Sequence, residues 1–118
     1  MSLTNDEYQE FVEGLASEKS KVDFNTRLNL VGLGTGGEAG EVTDYCKKVL
    51  FHDVPLDEKK LIKELGDVIW YVAFACNTLG IKLQDVIDAN VEKLRDRYPS
   101  GKFSVEDCLR KEGLLNAD

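Results

Sequence analysis

Between Asp57 and Gly80, Leu61, Ile62, Leu65, Val68, Ile69, Val72, Ala73, Cys76 and Leu79 recur at three- and four-residue steps. That apolar surface is too broad for one stripe, so the segment reads as a central helix buried on more than one side. Glu64 and Asp67 interrupt it, three residues apart and therefore on one helical face. An earlier segment carries a second such pair, Glu38 and Glu41. Two such helices side by side gather four carboxylates at the margin of a core. Crowded anions repel one another and lose hydration there, so they call for a cation. Ligation by oxygen alone favours a hard ion, Mg²⁺ with Mn²⁺ as a substitute.

The rest of the chain reads as helices as well. Thr4-Asn5-Asp6-Glu7 has the form of a capping box, with Tyr8, Phe11, Val12 and Leu15 following at helical spacing. A first packing helix is expected over about residues 5–18, then a polar connection through Phe24. The second segment, about Thr26 to Leu50, is glycine-rich, and Gly32, Gly34 and Gly37 satisfy G-x-G-x-x-G. A dinucleotide-binding turn needs further strands in βαβ order, which the remaining helical periodicity does not supply, so that reading is set aside. No Gly-Lys-Ser/Thr follows to make a phosphate loop. The alternative is a helix whose small residues leave room for a neighbouring helix or a ligand. Lys47-Lys48 near its end either complements the helix dipole or reaches substrate phosphates.

Phe51 to Pro55 breaks the helix, and His52, the single histidine, reads as a bystander. Asp57 is the expected N-cap of the third helix and Gly80 its stop. Tyr71, four residues after Asp67, shares the acidic face, whereas Trp70 lies about 100° around the helix from Tyr71 and reads as core or interface. A fourth helix is expected over about Leu83 to Arg97, ended by Pro99. Asn90, Lys93 and Arg97 form one stripe on it, either a solvated face or an amide and two cations aimed at a polyphosphate. The tail, residues 104–118, is polar with a short helix near Val105 to Lys111. The expected whole is one all-α domain over residues 1–118, four-helix bundle-like, with its core in about residues 26–103.

Composition narrows the function. A formal charge of −7 argues against broad binding of duplex nucleic acid. It leaves a nucleotide open as a small substrate, because a bound metal inverts the local sign. No apolar run approaches the ~20 residues that span a bilayer, and the polar start is unlike a secretory signal. Cys46, Cys76 and Cys108 are odd in number and form no C-x-x-C pair, so packing thiols in a reduced, cytoplasmic chain are expected.

These residues resemble the MazG-like family of nucleotide pyrophosphohydrolases, all-α proteins grouped with the dimeric dUTPases. The resemblance rests on Gly37-Glu38-Ala39-Gly40-Glu41-Val42, Lys47-Lys48, Glu64-Leu65-Gly66-Asp67-Val68-Ile69-Trp70-Tyr71 and Asn90 through Pro99, and covers roughly residues 28–103. Many members carry a further glutamate before the first E-x-x-E, where this chain has Gly37. The resemblance implies hydrolysis of a nucleoside triphosphate between its α and β phosphates, to monophosphate and pyrophosphate. It also implies Mg²⁺ on Glu38, Glu41, Glu64 and Asp67. Metal-held carboxylates are poor bases, so one glutamate, Glu41 ahead of Glu38, serves instead to position the attacking water. By the same resemblance Lys48, Asn90, Lys93 and Arg97 hold phosphates or sugar, Tyr71 lines the pocket, and the chain forms a homodimer or homotetramer. Two other readings stand beside this one. One is a narrower enzyme of the group, acting on dCTP, dUTP or phosphoribosyl-ATP; the other is a nucleotide-sensing or helical interaction module without turnover.

Overall fold

The computed structural model describes residues 2–115 and contains only helices among them: α1 (Asn5–Leu15), a short 3-10 helix (Glu18–Lys21), α2 (Phe24–Phe51), α3 (Glu58–Leu79), α4 (Leu83–Arg97) and α5 (Val105–Lys111). The all-α expectation holds. By its contacts the chain divides into two compact units, Met1–Leu83 and Gln84–Asp118, taken here one at a time.

Caps set the boundaries in the first unit. The Thr4 hydroxyl accepts from the Glu7 N–H at 3.2 Å, and the Glu7 carboxylate accepts from the Thr4 N–H at 2.9 Å. That closes the capping box and starts α1. The helix ends at Leu15 rather than near residue 18, because Ala16 is extended (φ −60°, ψ 139°) and Ser17 caps the 3-10 turn. The segment expected as a connection thus has regular structure. Asp23 then accepts from the Thr26 N–H at 2.7 Å and starts α2 at Phe24, two residues earlier than the apolar pattern suggests.

α2 runs unbroken for 28 residues through five glycines. Each glycine costs up to about 1 kcal/mol against alanine, so packing along α3 outweighs the local penalty. Gly34 shows what one of them is for. The Tyr71 ring lies so close to the α2 backbone there that a Cβ at this position would run into it.

α3 begins at the Asp57 cap, which accepts from the Lys59 and Lys60 N–H groups, and stops at Gly80 in the left-handed conformation (φ 69°). It is the central helix of the unit, packed against both α1 and α2. Val12 of α1 and Ala16 just beyond its end meet Ala73 and Phe74 of α3 in the buried core, flanked by Tyr8, Leu30, Val31 and Trp70. Cys76 is buried as well. Polar contacts fix α1 on α3. The Gln9 amide donates to Asn77 Oδ1 at 2.9 Å and to the Ile81 carbonyl at 3.0 Å, and Asn77 Nδ2 donates back to the Gln9 carbonyl at 2.9 Å. Arg27 forks onto Glu13 at 2.8 and 2.9 Å, donates to Thr78 at 3.1 Å, and lies 4.6 Å over the Phe74 ring.

In the second unit Ser104 caps α5, and Lys111 reaches Asp96 of α4 at 2.7 Å. Tyr98 and Phe103 pack ring against ring at 5.4 Å in the turn between them. No described helix is long and apolar enough to cross a membrane.

Candidate metal centre

α2 and α3 bring three of the four expected carboxylates together. One oxygen each from Glu38, Glu64 and Asp67 falls within 4.8 Å of the others; Glu38 and Glu64 are half-buried and Asp67 is exposed. Glu64 and Asp67 share a face of α3, and Glu38 meets them across the α2–α3 seam. Glu41, one further turn along α2, stands exposed outside the group of three. Three residues advance a helix by about 300°, so an E-x-x-E pair shares a face without both members pointing into one seam.

Electrostatics show the carboxylates crowding one another. The Glu38 carboxyl is pushed above its ordinary range by loss of hydration first, then by the negative charges of Asp67, Glu41 and Glu64. Every charge that moves Glu38 is of its own sign. Among the described residues none of the three carboxylates has a salt bridge, whereas Glu13, Asp44 and Asp96 each have one. Three converging carboxylate oxygens with no cation beside them are the donor set a hard divalent ion takes.

The remaining expected residues are placed as follows. Lys48 is drawn to Asp44, one turn earlier on α2, at 2.8 Å, with Lys47 on the same carboxylate at 3.3 Å. The charge of Asp44 raises the Lys48 pKa, and Glu41 adds to it. Asp44 was not foreseen, although its i, i+3 and i, i+4 spacing to the two lysines was available. Tyr71 lies against Gly34 and edge-on to Trp70, at 4.9 Å between rings. Trp70 stacks on Phe74 at 5.6 Å, and its indole N–H is buried without an acceptor among the described residues. Asn90 and Lys93 are exposed on α4 and Arg97 is half-buried at its end, all within the second unit. His52 caps the end of α2 through its backbone N–H, which donates to the Lys48 carbonyl at 3.0 Å. One neighbour of the cluster had no sequence signal. Tyr8 of α1 has its phenol pKa raised by burial first and then by the charge of Asp67.

A paired-acid seam between two helices defines a class, and comparison with known proteins agrees. The chain belongs to the family of the MazG nucleotide pyrophosphohydrolase domain, whose model matches residues 26–102. The Gene 37 protein of Mycobacterium phage L5 is 41% identical over 78 residues, which are 63% of this chain and 68% of that protein. The uncharacterized protein YvdC of Bacillus subtilis (strain 168) is 42% identical over 41 residues, 35% of this chain and 39% of that one. No solved structure matches the chain.

Proposed function

We propose that the protein is a Mg²⁺-dependent nucleoside triphosphate pyrophosphohydrolase, cleaving between the α and β phosphates. The observation that carries this reading is the convergence of Glu38, Glu64 and Asp67 within 4.8 Å, inside the family-matched residues. These three would hold the metal. When bound, such an ion supplies neutralising charge to the triphosphate and polarises the reacting phosphorus.

The chain's own residues have the following roles. Glu41, outside the group of three, orients the attacking water and takes its proton. The water oxygen adds to phosphorus, the bridging P–O bond breaks, and pyrophosphate leaves with the electron pair. Lys48, held by Asp44, binds phosphate oxygens, and within the second unit the stripe of Asn90, Lys93 and Arg97 offers an amide and two cations to phosphate or sugar oxygens. Tyr71 lines the pocket at the level of Gly34. Ile62, Leu65 and Ile69, at i, i+3 and i+7 of α3, remain 66%, 46% and 49% exposed. An apolar stripe of that kind beside the seam supports assembly into a homodimer or homotetramer.

The test is product analysis on a panel of ribo- and deoxyribonucleoside triphosphates, with Mg²⁺ and with EDTA. Metal-dependent release of pyrophosphate together with monophosphate is the expected result. Orthophosphate release places the cleavage at another bond, and no turnover on the whole panel transfers the site to nucleotide sensing.

A further inference from the structure

The second unit holds a cavity of about 400 Å³ of its own, formed by the C-terminal half of α4 and the turn that follows it. Val91, Leu94, Tyr98 and Phe103 give it an apolar surface, and Arg95 and Lys102 are the two charged residues that line it. Val91, Leu94, Arg95 and Tyr98 stand at i, i+3, i+4 and i+7, one face of α4. That face lies about 100° around the helix from the stripe of Asn90, Lys93 and Arg97.

The turn is held by backbone hydrogen bonds. The Tyr98 N–H donates to the Leu94 carbonyl at 2.8 Å, and the Gly101 N–H donates to the Tyr98 carbonyl at 2.9 Å. Gly101 takes the left-handed conformation (φ 81°), and Phe103 comes back to pack on Tyr98 at 5.4 Å between rings. Phe103 is nevertheless 71% exposed, so ring surface is left open to a flat ligand.

Charge sets this cavity apart from the rest of its unit. Arg110 is paired with Glu106 and Asp107, and Lys111 with Asp96, whereas Arg95 and Lys102 have no ion pair among the described residues. Asp88 and Glu92 line an adjoining groove that shares Val91 and Arg95, so the Lys102 end of the cavity is the more favourable to an anion. An open aromatic face beside two uncompensated cations suits an aromatic anion. Two cations match the charge of one phosphate, about −2 at neutral pH. They are too few to hold a nucleic-acid strand on a chain of net charge −7.

We propose that this cavity is a metal-independent site for a nucleoside monophosphate, with the base on the Phe103 ring and the phosphate held by Lys102 and Arg95. Stacking of a base on an aromatic side chain and charge-assisted hydrogen bonds to phosphate supply the affinity. The site uses none of the acidic residues and so goes beyond the reaction proposed above. The monophosphate product of that reaction is a ligand of this kind.

The experiment is calorimetric titration of the full chain with a set of ribonucleoside monophosphates in EDTA, and with a nucleoside and inorganic phosphate separately. The proteins are the unaltered chain, Lys102→Ala, Phe103→Leu and Lys93→Ala. Phe103→Leu keeps an apolar side chain against Tyr98 and removes the flat face, and circular dichroism checks that each variant is folded. A monophosphate should bind more tightly than the nucleoside or phosphate alone. Lys102→Ala and Phe103→Leu should each weaken it about tenfold, and Lys93→Ala should leave it in place. Binding lost in Lys93→Ala and kept in Lys102→Ala moves the ligand to the neighbouring stripe and overturns the proposal. Phosphate bound as tightly as the monophosphate, with Phe103→Leu neutral, overturns the nucleotide assignment. A single-stranded oligonucleotide bound more tightly than any monophosphate overturns it as well, and so does a chain that binds no monophosphate. None of these outcomes touches the acid cluster, whose own test is the Mg²⁺-dependent release of pyrophosphate.

Discussion

The two halves of α3 handle charge in opposite ways. Toward its C-terminal end, Phe74 is fully buried under the Arg27 guanidinium, Arg27 is neutralised by Glu13, and Asn77 trades hydrogen bonds with Gln9. Each polar group there has a partner of complementary character, and the result is a strut that fixes α1. Toward the N-terminal end, Glu64 and Asp67 face Glu38, and every charge acting on Glu38 is negative. The same helix, in the same unit, is balanced at one end and unbalanced at the other. Stability alone favours the first arrangement and penalises the second, so the second is the end we assign to a ligand.

Substitutions at the two ends separate the two roles. At the acidic end, Asp67→Asn should lower the rate of pyrophosphate release by about 10³-fold or more, the scale of a lost metal contribution. Its helical circular dichroism should stay that of the parent, and its metal-free melting should not fall below it. Unchanged turnover would return the cluster to the status of a solvated acidic face. At the balanced end, Phe74→Ala should cost ~3–5 kcal/mol of stability by cavity formation, read by denaturant unfolding. A loss below ~1 kcal/mol would show that the α1–α3 contact is not the core of this unit. Arg27→Ala, which removes the fork to Glu13 and the cover over Phe74, should cost ~1–3 kcal/mol.

The smallest effect has the opposite sign. Glu38 has its pKa raised in the folded chain, so over the interval between its unfolded and folded values the native state binds more protons than the unfolded one. Stability therefore falls as pH rises through that interval. Glu38→Gln should melt slightly higher than the parent at neutral pH without metal, and the advantage should vanish in acid, where Glu38 is protonated in both states. A parent that melts higher than Glu38→Gln at neutral pH would mean that Glu38 is paired rather than crowded.

Much of this contrast was legible in the sequence because it depends on local spacing. Asp57 and Gly80 bracket α3 through cap chemistry that needs only a few neighbouring residues, and Glu64 and Asp67 stood out against an apolar background. The start of α2 was misplaced because Asp23 sits in a polar run that reads equally well as a connection. The glycines of α2 announced a close approach without saying to what; Tyr71 over Gly34 supplies the answer. Which of Glu38 and Glu41 turns into the seam depends on the rotation of α2 about its own axis, which packing decides and spacing does not. The influence of Asp67 on Tyr8 was invisible because the two lie far apart in the chain and no local spacing links them. Only the docking of α1 through Gln9 brings the two together.

Thermal unfolding with and without Mg²⁺ tests the unbalanced end most directly. At an Mg²⁺ concentration about 100 times its dissociation constant, binding to the native state alone adds ~2.7 kcal/mol. For a unit of this size that raises the melting temperature by roughly 10 °C or more, and Asp67→Asn should abolish the shift. A melting temperature that Mg²⁺ leaves in place, in the unaltered chain at neutral pH, would contradict the assignment of Glu38, Glu64 and Asp67 as a metal site.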